Sequence, residues 1–333
     1  MKGNVMSNKQ YKVIVDTEGS DKGAEMIVKG VAMALEKYPA LSVCLAGDKA
    51  KLEAILSELG LFKDGAISER LEIIHSTQVI TNLDSPATAI FEKTDSSMVR
   101  ALSELGERDD VIGVVSTGNT GALIAGTMRY LSTADRVRPA LAAVLPAENG
   151  SRTCLVDTGA TVDCTPTMLL HFARLGSDFM KKLYKLDAPK IGLLSNGSEP
   201  TKGNKTVKET HELLKAAEDL NFIGNIEGTS ALSGECDVLV CDGFAGNQVL
   251  KVTEGTARRI ITDVARLAKK TGEAKYMELV GYLKGLYDFN SLGGAVILGA
   301  RKLVLKAHGS ANETSIMNTV GILMSVSDGG TII

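Results

Sequence analysis

The 333-residue sequence contains no tryptophan, and aromatic residues make up only 4% of it. Its core must therefore be aliphatic, built from valine, isoleucine, leucine, alanine and methionine. Cysteines are few and scattered: Cys44, Cys154, Cys164, Cys236 and Cys241 are odd in number and form no CxxC pair. That argues against a disulfide framework and for reduced thiols in a reducing compartment. The four histidines, His75, His171, His211 and His308, show no HxxxH or HxH spacing, so no metal is expected. No run of about 18 apolar residues is present to cross a membrane. Residues 1–10 lack the apolar stretch of a secretory signal and read as a disordered or tag-like segment. The expected location is therefore the cytoplasm. A net charge of −3 gives no bulk basic field, so nucleic acid is not an expected partner.

Three phosphate and acyl-transfer signatures are also missing. There is no GxxxxGK[ST] mononucleotide loop, no GxGxxG after the first apolar segment, and no GxSxG nucleophile elbow. A nicotinamide-binding reading loses its main support with the second of these.

What is present is an alternation of short apolar segments with amphipathic ones. Strands are expected at Tyr11–Val15, Leu41–Ala46, Leu71–Ile74 and Val111–Val115, then at Leu141–Leu145, Ser151–Val156, Lys190–Leu194, Phe222–Ile223 and Val238–Cys241. Between the first of these fall helical patterns over Glu25–Tyr38, Lys49–Leu59 and Ser96–Leu105. Such alternation predicts an α/β fold, a mostly parallel sheet with helices on both faces. No linker splits the chain, so residues 11–333 are expected to form one domain. A long helical pattern over about 253–290, broken near Thr271-Gly272, is expected to leave the sheet as a helical excursion, a surface for a dimer or carrier contact.

In open α/β sheets ligands bind beyond the carboxyl ends of the strands. Five such segments here are rich in glycine, asparagine, aspartate and threonine: 16–21, 116–122, 157–164, 195–204 and 242–247. Glycines let backbone N–H groups approach an anion, and each following helix adds the positive end of its dipole. Gly118-Asn119-Thr120-Gly121 and Asp242-Gly243 fit either such a cradle or a capped strand-to-helix turn. Lys202, among small polar residues before Gly203-Asn204, fits either a phosphate clamp or a solvated loop lysine. Together the five loops point to a cleft for a small anion.

These segments resemble the acyl-carrier-protein:phosphate acyltransferase family, known as PlsX, over about Val13 to Asn312. The shared words include Asp84-Ser85-Pro86 with Lys93, Asp95-Ser96-Ser97-Met98, Gly118 to Ala122, Arg138-Pro139-Ala140 and Asp157-x-Gly159-Ala160-x-x-Asp163-Cys164-x-Pro166. They continue with Lys202-Gly203-Asn204, Phe222-Ile223-Gly224-Asn225-x-Glu227-Gly228, Cys241-Asp242-Gly243-Phe244-x-Gly246-Asn247, Gly293-Gly294 and Lys306 to Ser310. The resemblance implies a three-layer α/β/α fold like the isocitrate and isopropylmalate dehydrogenases and the phosphotransacetylases. It implies transfer of an acyl group from acyl carrier protein to inorganic phosphate, feeding phospholipid synthesis and a downstream glycerol-phosphate acyltransferase. It also implies a homodimer, no cofactor, and a weak peripheral contact with the membrane.

Carried over residue by residue, the resemblance makes Lys202 and Asn247 the central pair. Lys202 would bind phosphate and Asn247 would donate to the carbonyl oxygen. Asn119, Thr120 and Gly121 would cradle the anion with Gly203, Asn204, Asp163, Asp242 and Gly243. Ser96 and Ser97 would add hydroxyl donors or cap a helix, and His308 would orient substrate or hold a strand end. Cys164 could attack the thioester, but no histidine lies near it in sequence and a packing role fits better.

The sequence departs from the family pattern at Glu18 and Ser20. Glu18 would repel phosphate if it pointed inward, and Ser20 would be strained wherever a glycine conformation is needed. These departures keep open a non-catalytic paralogue, and a coenzyme-A-dependent phosphate acyltransferase stays open beside it.

Overall fold

The computed structural model describes residues 9–62, 65–133, 138–287, 294–309 and 311–328. Most of the tag-like segment, Gly293, Ser310 and the expected end of the excursion beyond 287 lie outside the described residues.

The chain forms two compact units. The first opens with β1 (Tyr11–Asp16), α1 (Gly23–Lys37), β2 (Leu41–Gly47), α2 (Lys49–Glu58), α3 (Gly65–Ser68) and β3 (Leu71–His75). It continues with α4 (Pro86–Glu92), α5 (Ser97–Glu107), β4 (Gly113–Ser116) and α6 (Thr120–Tyr130). The second unit runs through β5 (Ala140–Pro146), β6 (Arg152–Val156), α7 (Pro166–Tyr184), β7 (Lys190–Ser195), α8 (Lys205–Ala216), β8 (Asn221–Glu227), β9 (Val238–Val240), α9 (Gly243–Thr271), α10 (Ala274–Leu286) and β10 (Ala295–Leu298). The chain then returns to the first unit with β11 (Leu303–Lys306) and α11 (Glu313–Asp328).

In the first unit the strands lie in the order β3-β2-β1-β4-β11, all parallel. Val13, Ile14 and Val15 of β1 are buried without alternation, as expected of a strand covered on both faces. The register aligns Asp16 with Ser116, and Ser116 with Lys306, so three strands end at one level. α11 packs on α1 at Gly30, where a Cβ would lie 2.6 Å from Cβ of Ile316.

In the second unit the order is β10-β5-β6-β9-β7-β8. β5 runs antiparallel to both β10 and β6, and the remaining pairs are parallel. α7 begins at a Thr165 cap with Pro166 in its first turn and buries Phe172, Leu175 and Phe179. Its Gly176 lets the backbone approach the sheet: a Cβ there would lie 2.6 Å from Cγ1 of Val238. The fold is thus the expected α/β architecture, with differences at its edges. The strand expected from Val111 begins at Gly113, and the one expected at Phe222–Ile223 extends over seven residues, Asn221–Glu227.

The helical excursion is rooted earlier than its periodicity suggests. α9 starts at Gly243, capped by Asp242, and runs unbroken for 29 residues to the left-handed Gly272. Its first turn is thus itself one of the glycine-rich strand-end segments. α10 packs back along it, and Ile260, Leu267, Met277 and Tyr282 remain exposed on the pair. Among the described residues no helix is long and apolar enough to cross a membrane.

Candidate active site

In the first unit the strand-end loops close around Asp16. This carboxylate is buried at the end of β1, where Ser116 Oγ donates to it at 2.7 Å and the Glu18 N–H at 3.3 Å. Burial pushes its carboxyl up to about 6, against the opposing hydrogen bonds from Ser97, Ser116 and Glu18. Glycines allow the loops to meet. A Cβ on Gly19, which has φ +80°, would lie 2.8 Å from Cα of Gly118. Thr117 is buried, and its hydroxyl oxygen has no partner among the described residues. Its carbonyl accepts from Lys306 Nζ at 3.1 Å.

Several side chains expected to cradle an anion are committed to the backbone here. Asn119 Oδ1 accepts from Ala122 N at 3.0 Å and caps α6, while its Nδ2 donates to the Thr81 carbonyl at 3.3 Å. Ser96 is fully buried and caps α5 through Val99 N. Gly121 lets α6 approach α4, since a Cβ would lie 2.9 Å from the Pro86 ring. What this loop can still offer an anion is the N-terminal backbone of α6 at Thr120 and Gly121. His308 is exposed, and its carbonyl accepts from Ala311 N.

The two departures in the first loop are accommodated. Glu18 pairs with Lys51 at 3.0 Å and is not an unbalanced charge. Ser20 is absent from the positive-φ residues, which among the described non-glycines are Ser132 and Lys185. The residue needing a left-handed backbone is its neighbour Gly19.

In the second unit Asp157 organises the loop after β6. Its Oδ1 accepts the backbone N–H groups of Leu141, Gly159 and Ala160 at 2.9 to 3.0 Å, and its Oδ2 accepts that of Thr161 at 2.7 Å. Burial raises this carboxyl even so. The first turn of α9 sits on the same loop. Gly243 N donates to the Thr161 carbonyl at 2.7 Å, and a Cβ on Gly246 would overlap the Asp157 carbonyl oxygen. Asn247 follows on that turn with its Cβ 3.8 Å from where a Cβ at Gly159 would be. Asp163 stands exposed on the loop. Cys164 Sγ lies 3.4 Å from the Thr161 carbonyl oxygen, and burial with nearby carboxylates pushes its thiol up to about 12. A thiol so poised stays protonated at neutral pH and is a poor nucleophile.

The loop after β7 carries Lys202. Asn196 Oδ1 accepts from Gly203 N at 2.8 Å, and Asn204 caps α8 through Val207 N at 2.9 Å. The Glu199 carbonyl accepts both the Lys202 N–H at 3.0 Å and Asn225 Nδ2 at 2.9 Å. Asn225 is in turn held by buried His211, whose Nδ1 lies 3.0 Å from Asn225 Oδ1. The Lys202 stem crosses Gly197, where a Cβ would lie 2.6 Å from Lys202 Cγ. The Lys202 side chain is exposed, and its ammonium has no ion-pair partner among the described residues. Beside this loop opens a cleft of about 450 Å³, where Ser195, Gly203 and Asn204 meet Asp242 and Ala245 over an apolar floor of Leu169, Leu193 and Val207. Asp242 caps α9 through Ala245 N at 2.7 Å.

Of the residues singled out in the sequence, the structure brings Gly203, Asn204 and Asp242 into one cleft, and sets Gly243 and Asn247 against the Asp157 loop. Sequence reasoning missed Asp16, Thr117, Ser195 and the His211–Asn225 pair. Asp16, Thr117, Ser195 and Asn225 all stood inside quoted segments, and burial of their polar groups is what distinguishes them.

Comparison with known proteins places the chain. The chain is 38% identical to a phosphate acyltransferase of Thermoanaerobacterium thermosaccharolyticum, covering 93% of this chain and 91% of that protein. It is also 38% identical to a phosphate acyltransferase of Leptospira biflexa, covering 93% and 92%. Among solved structures it resembles a phosphotransacetylase from Streptococcus pyogenes, with a TM-score of 0.64 at 17% identity over 95% of this chain and 94% of that one. A 4-hydroxythreonine-4-phosphate dehydrogenase from Klebsiella pneumoniae shares the fold with a TM-score of 0.56 at 14% identity, over 98% and 99%. The model of the fatty acid synthesis protein family matches residues 11–329. The chain therefore belongs to that family, the PlsX family whose sequence words it carries from one end to the other.

Proposed function

We propose that this protein transfers an acyl group from the thioester of acyl carrier protein to inorganic phosphate. A phosphate oxygen attacks the thioester carbonyl carbon, the new C–O bond forms, and the C–S bond breaks. The thiolate leaves and takes up the proton that the phosphate gives up. The products are acyl phosphate and free carrier thiol. A thiol leaves readily because its pKa is only about 8.5, so placement and charge stabilisation carry most of the catalysis.

The observation that carries the reading is Lys202: an exposed ammonium without an ion-pair partner among the described residues, on a turn fixed by Asn196, Glu199 and Asn225. It supports a role in binding phosphate, with Asn247 as donor to the carbonyl oxygen. The phosphate acyltransferase names of the relatives support the same chemistry. The pairing of Glu18 with Lys51 removes the charge that favoured a non-catalytic paralogue. Within the first unit Thr120 and Gly121 would offer substrate their backbone N–H groups, and Ser97 and His308 their side chains; within the second, Asp163 would offer its own. The protein would act as a homodimer without a cofactor, in the cytoplasm with a weak peripheral membrane contact, and supply a downstream glycerol-phosphate acyltransferase.

The test is thiol release from a long-chain acyl carrier protein, with and without phosphate, and with hydroxylamine to trap acyl phosphate. Phosphate-dependent release with trapped product is expected. Lys202→Ala and Asn247→Ala should each lower kcat/KM about 100- to 1000-fold. Wild-type values in both would refute the assignment.

A further inference from the structure

The cleft beside Lys202 carries no cation of its own. The charged group on its wall is the carboxylate of Asp242, which is ill suited to a phosphate dianion. Its polar groups have a particular remainder once their internal bonds are counted. Asn196 and Asn204 spend their carbonyl oxygens on backbone N–H groups, which leaves each with its NH2 donor. Asp242 spends Oδ1 on Ala245 N and keeps Oδ2 as an acceptor. Ser195 Oγ is buried with no partner among the described residues. A buried hydroxyl left this way costs stability until a ligand pairs it. The rest of the wall is mostly aliphatic, from Leu169, Leu193, Leu194, Val207 and Ala245, with Gly203, Thr206 and Cys241 between them.

Donors for carbonyl oxygens, an acceptor for an N–H and an aliphatic floor together describe one chemistry: a neutral chain interrupted by secondary amides. The volume of about 450 Å³ is within the range of small-molecule sites. We propose that this cleft binds the amide-bearing pantetheine-type arm that presents the thioester, while phosphate is held outside it by Lys202. The inference rests on the acyl-transfer reading above. The arm occurs on acyl carrier protein and on coenzyme A, and the cleft reads what the two share.

The experiment measures phosphate-dependent thiol release from thioesters of one acyl group on five thiols: the carrier protein, coenzyme A, pantetheine, N-acetylcysteamine with its single amide, and a simple alkanethiol with none. Wild-type kcat/KM should fall by about fivefold or more with each amide removed, the worth of a hydrogen bond or two. Ser195→Ala should lose about fivefold on the amide-bearing substrates and nothing on the alkanethiol ester. Ala245→Leu, which fills the cleft, should show the same selectivity. An equal loss on all five thioesters, or a loss that follows acyl length rather than amide number, overturns the proposal. A carrier protein favoured over pantetheine by wild type and both variants alike would locate further recognition on the protein surface and leave the arm's site as assigned. Absence of phosphate-dependent release from every thioester would instead refute the acyltransferase itself.

Discussion

Replacing Asp16 by asparagine should make the protein more stable at neutral pH, and the gain should depend on pH in a defined way. In the unfolded chain Asp16 ionises near 3.8, whereas burial beneath the loops pushes it up to about 6 in the folded protein. Below pH 3.8 the carboxyl is protonated in both states and costs nothing. Between about pH 4 and 6 the unfolded chain gives up the proton that the folded protein keeps, so stability falls as pH rises. Above the folded value the loss is complete. The gap between about 6 and 3.8, at about 1.4 kcal/mol per pH unit, amounts to roughly 3 kcal/mol. Asparagine does not ionise, and the hydroxyl partners can turn to suit an amide because each both donates and accepts. Urea unfolding of wild type and Asp16→Asn from pH 4 to 7.5 should therefore show a stability difference that grows by roughly 3 kcal/mol toward pH 6.5 and then levels off. A difference independent of pH, or one that shrinks as pH rises, would refute the account of a buried, desolvated carboxylate.

Other positions give equally direct outcomes. Gly246→Ala drives a methyl into the Asp157 carbonyl and should cost about 3 kcal/mol; Gly255→Ala, in open space within the same helix, should gain about 0.5 to 1 kcal/mol in the same denaturation assay. Because the Cys164 thiol is pushed up to about 12, its alkylation by iodoacetamide at pH 8 should run about a thousandfold slower than that of a free thiol, and Cys164→Ser should keep turnover. Asn225→Ala removes the hold of His211 on the Glu199 carbonyl; the phosphate KM should rise more than kcat falls, with recovery in Asn225→Gln.

Much of this arrangement was readable in the sequence because strand-end loops have a composition as well as a position. Glycine and asparagine after an apolar run mark the turn, and each of the loops at Asn119, Asn204 and Asp242 does launch a helix. What composition does not reveal is how a side chain divides its hydrogen bonds. Asn119 reads equally as a cap or a ligand donor, and only the pairs to Ala122 and Thr81 settle its commitment. Nor does it reveal charge pairing between distant segments. Glu18 seemed a hazard to phosphate because Lys51 is 33 residues away in sequence and 3.0 Å away in space. The root of the excursion was misread for a related reason: the α9 pattern from Thr253 onward is periodic, while its first turn is disguised as a glycine-rich loop.

The order in which the strands occur along the chain has a further consequence, for synthesis. The second unit is continuous in sequence, but the first needs β11 and α11 from the last part of the chain. As the polypeptide leaves the ribosome, β4 pairs with β1 and must wait for its other neighbour. At about 5 to 20 residues per second, the interval from the end of α6 to the end of α11 lasts roughly 10 to 40 seconds. Throughout it one edge of a short strand that the finished fold buries entirely is unsealed. The intervening unit has all of its own strands before then, so the segment that begins last closes the part that began first.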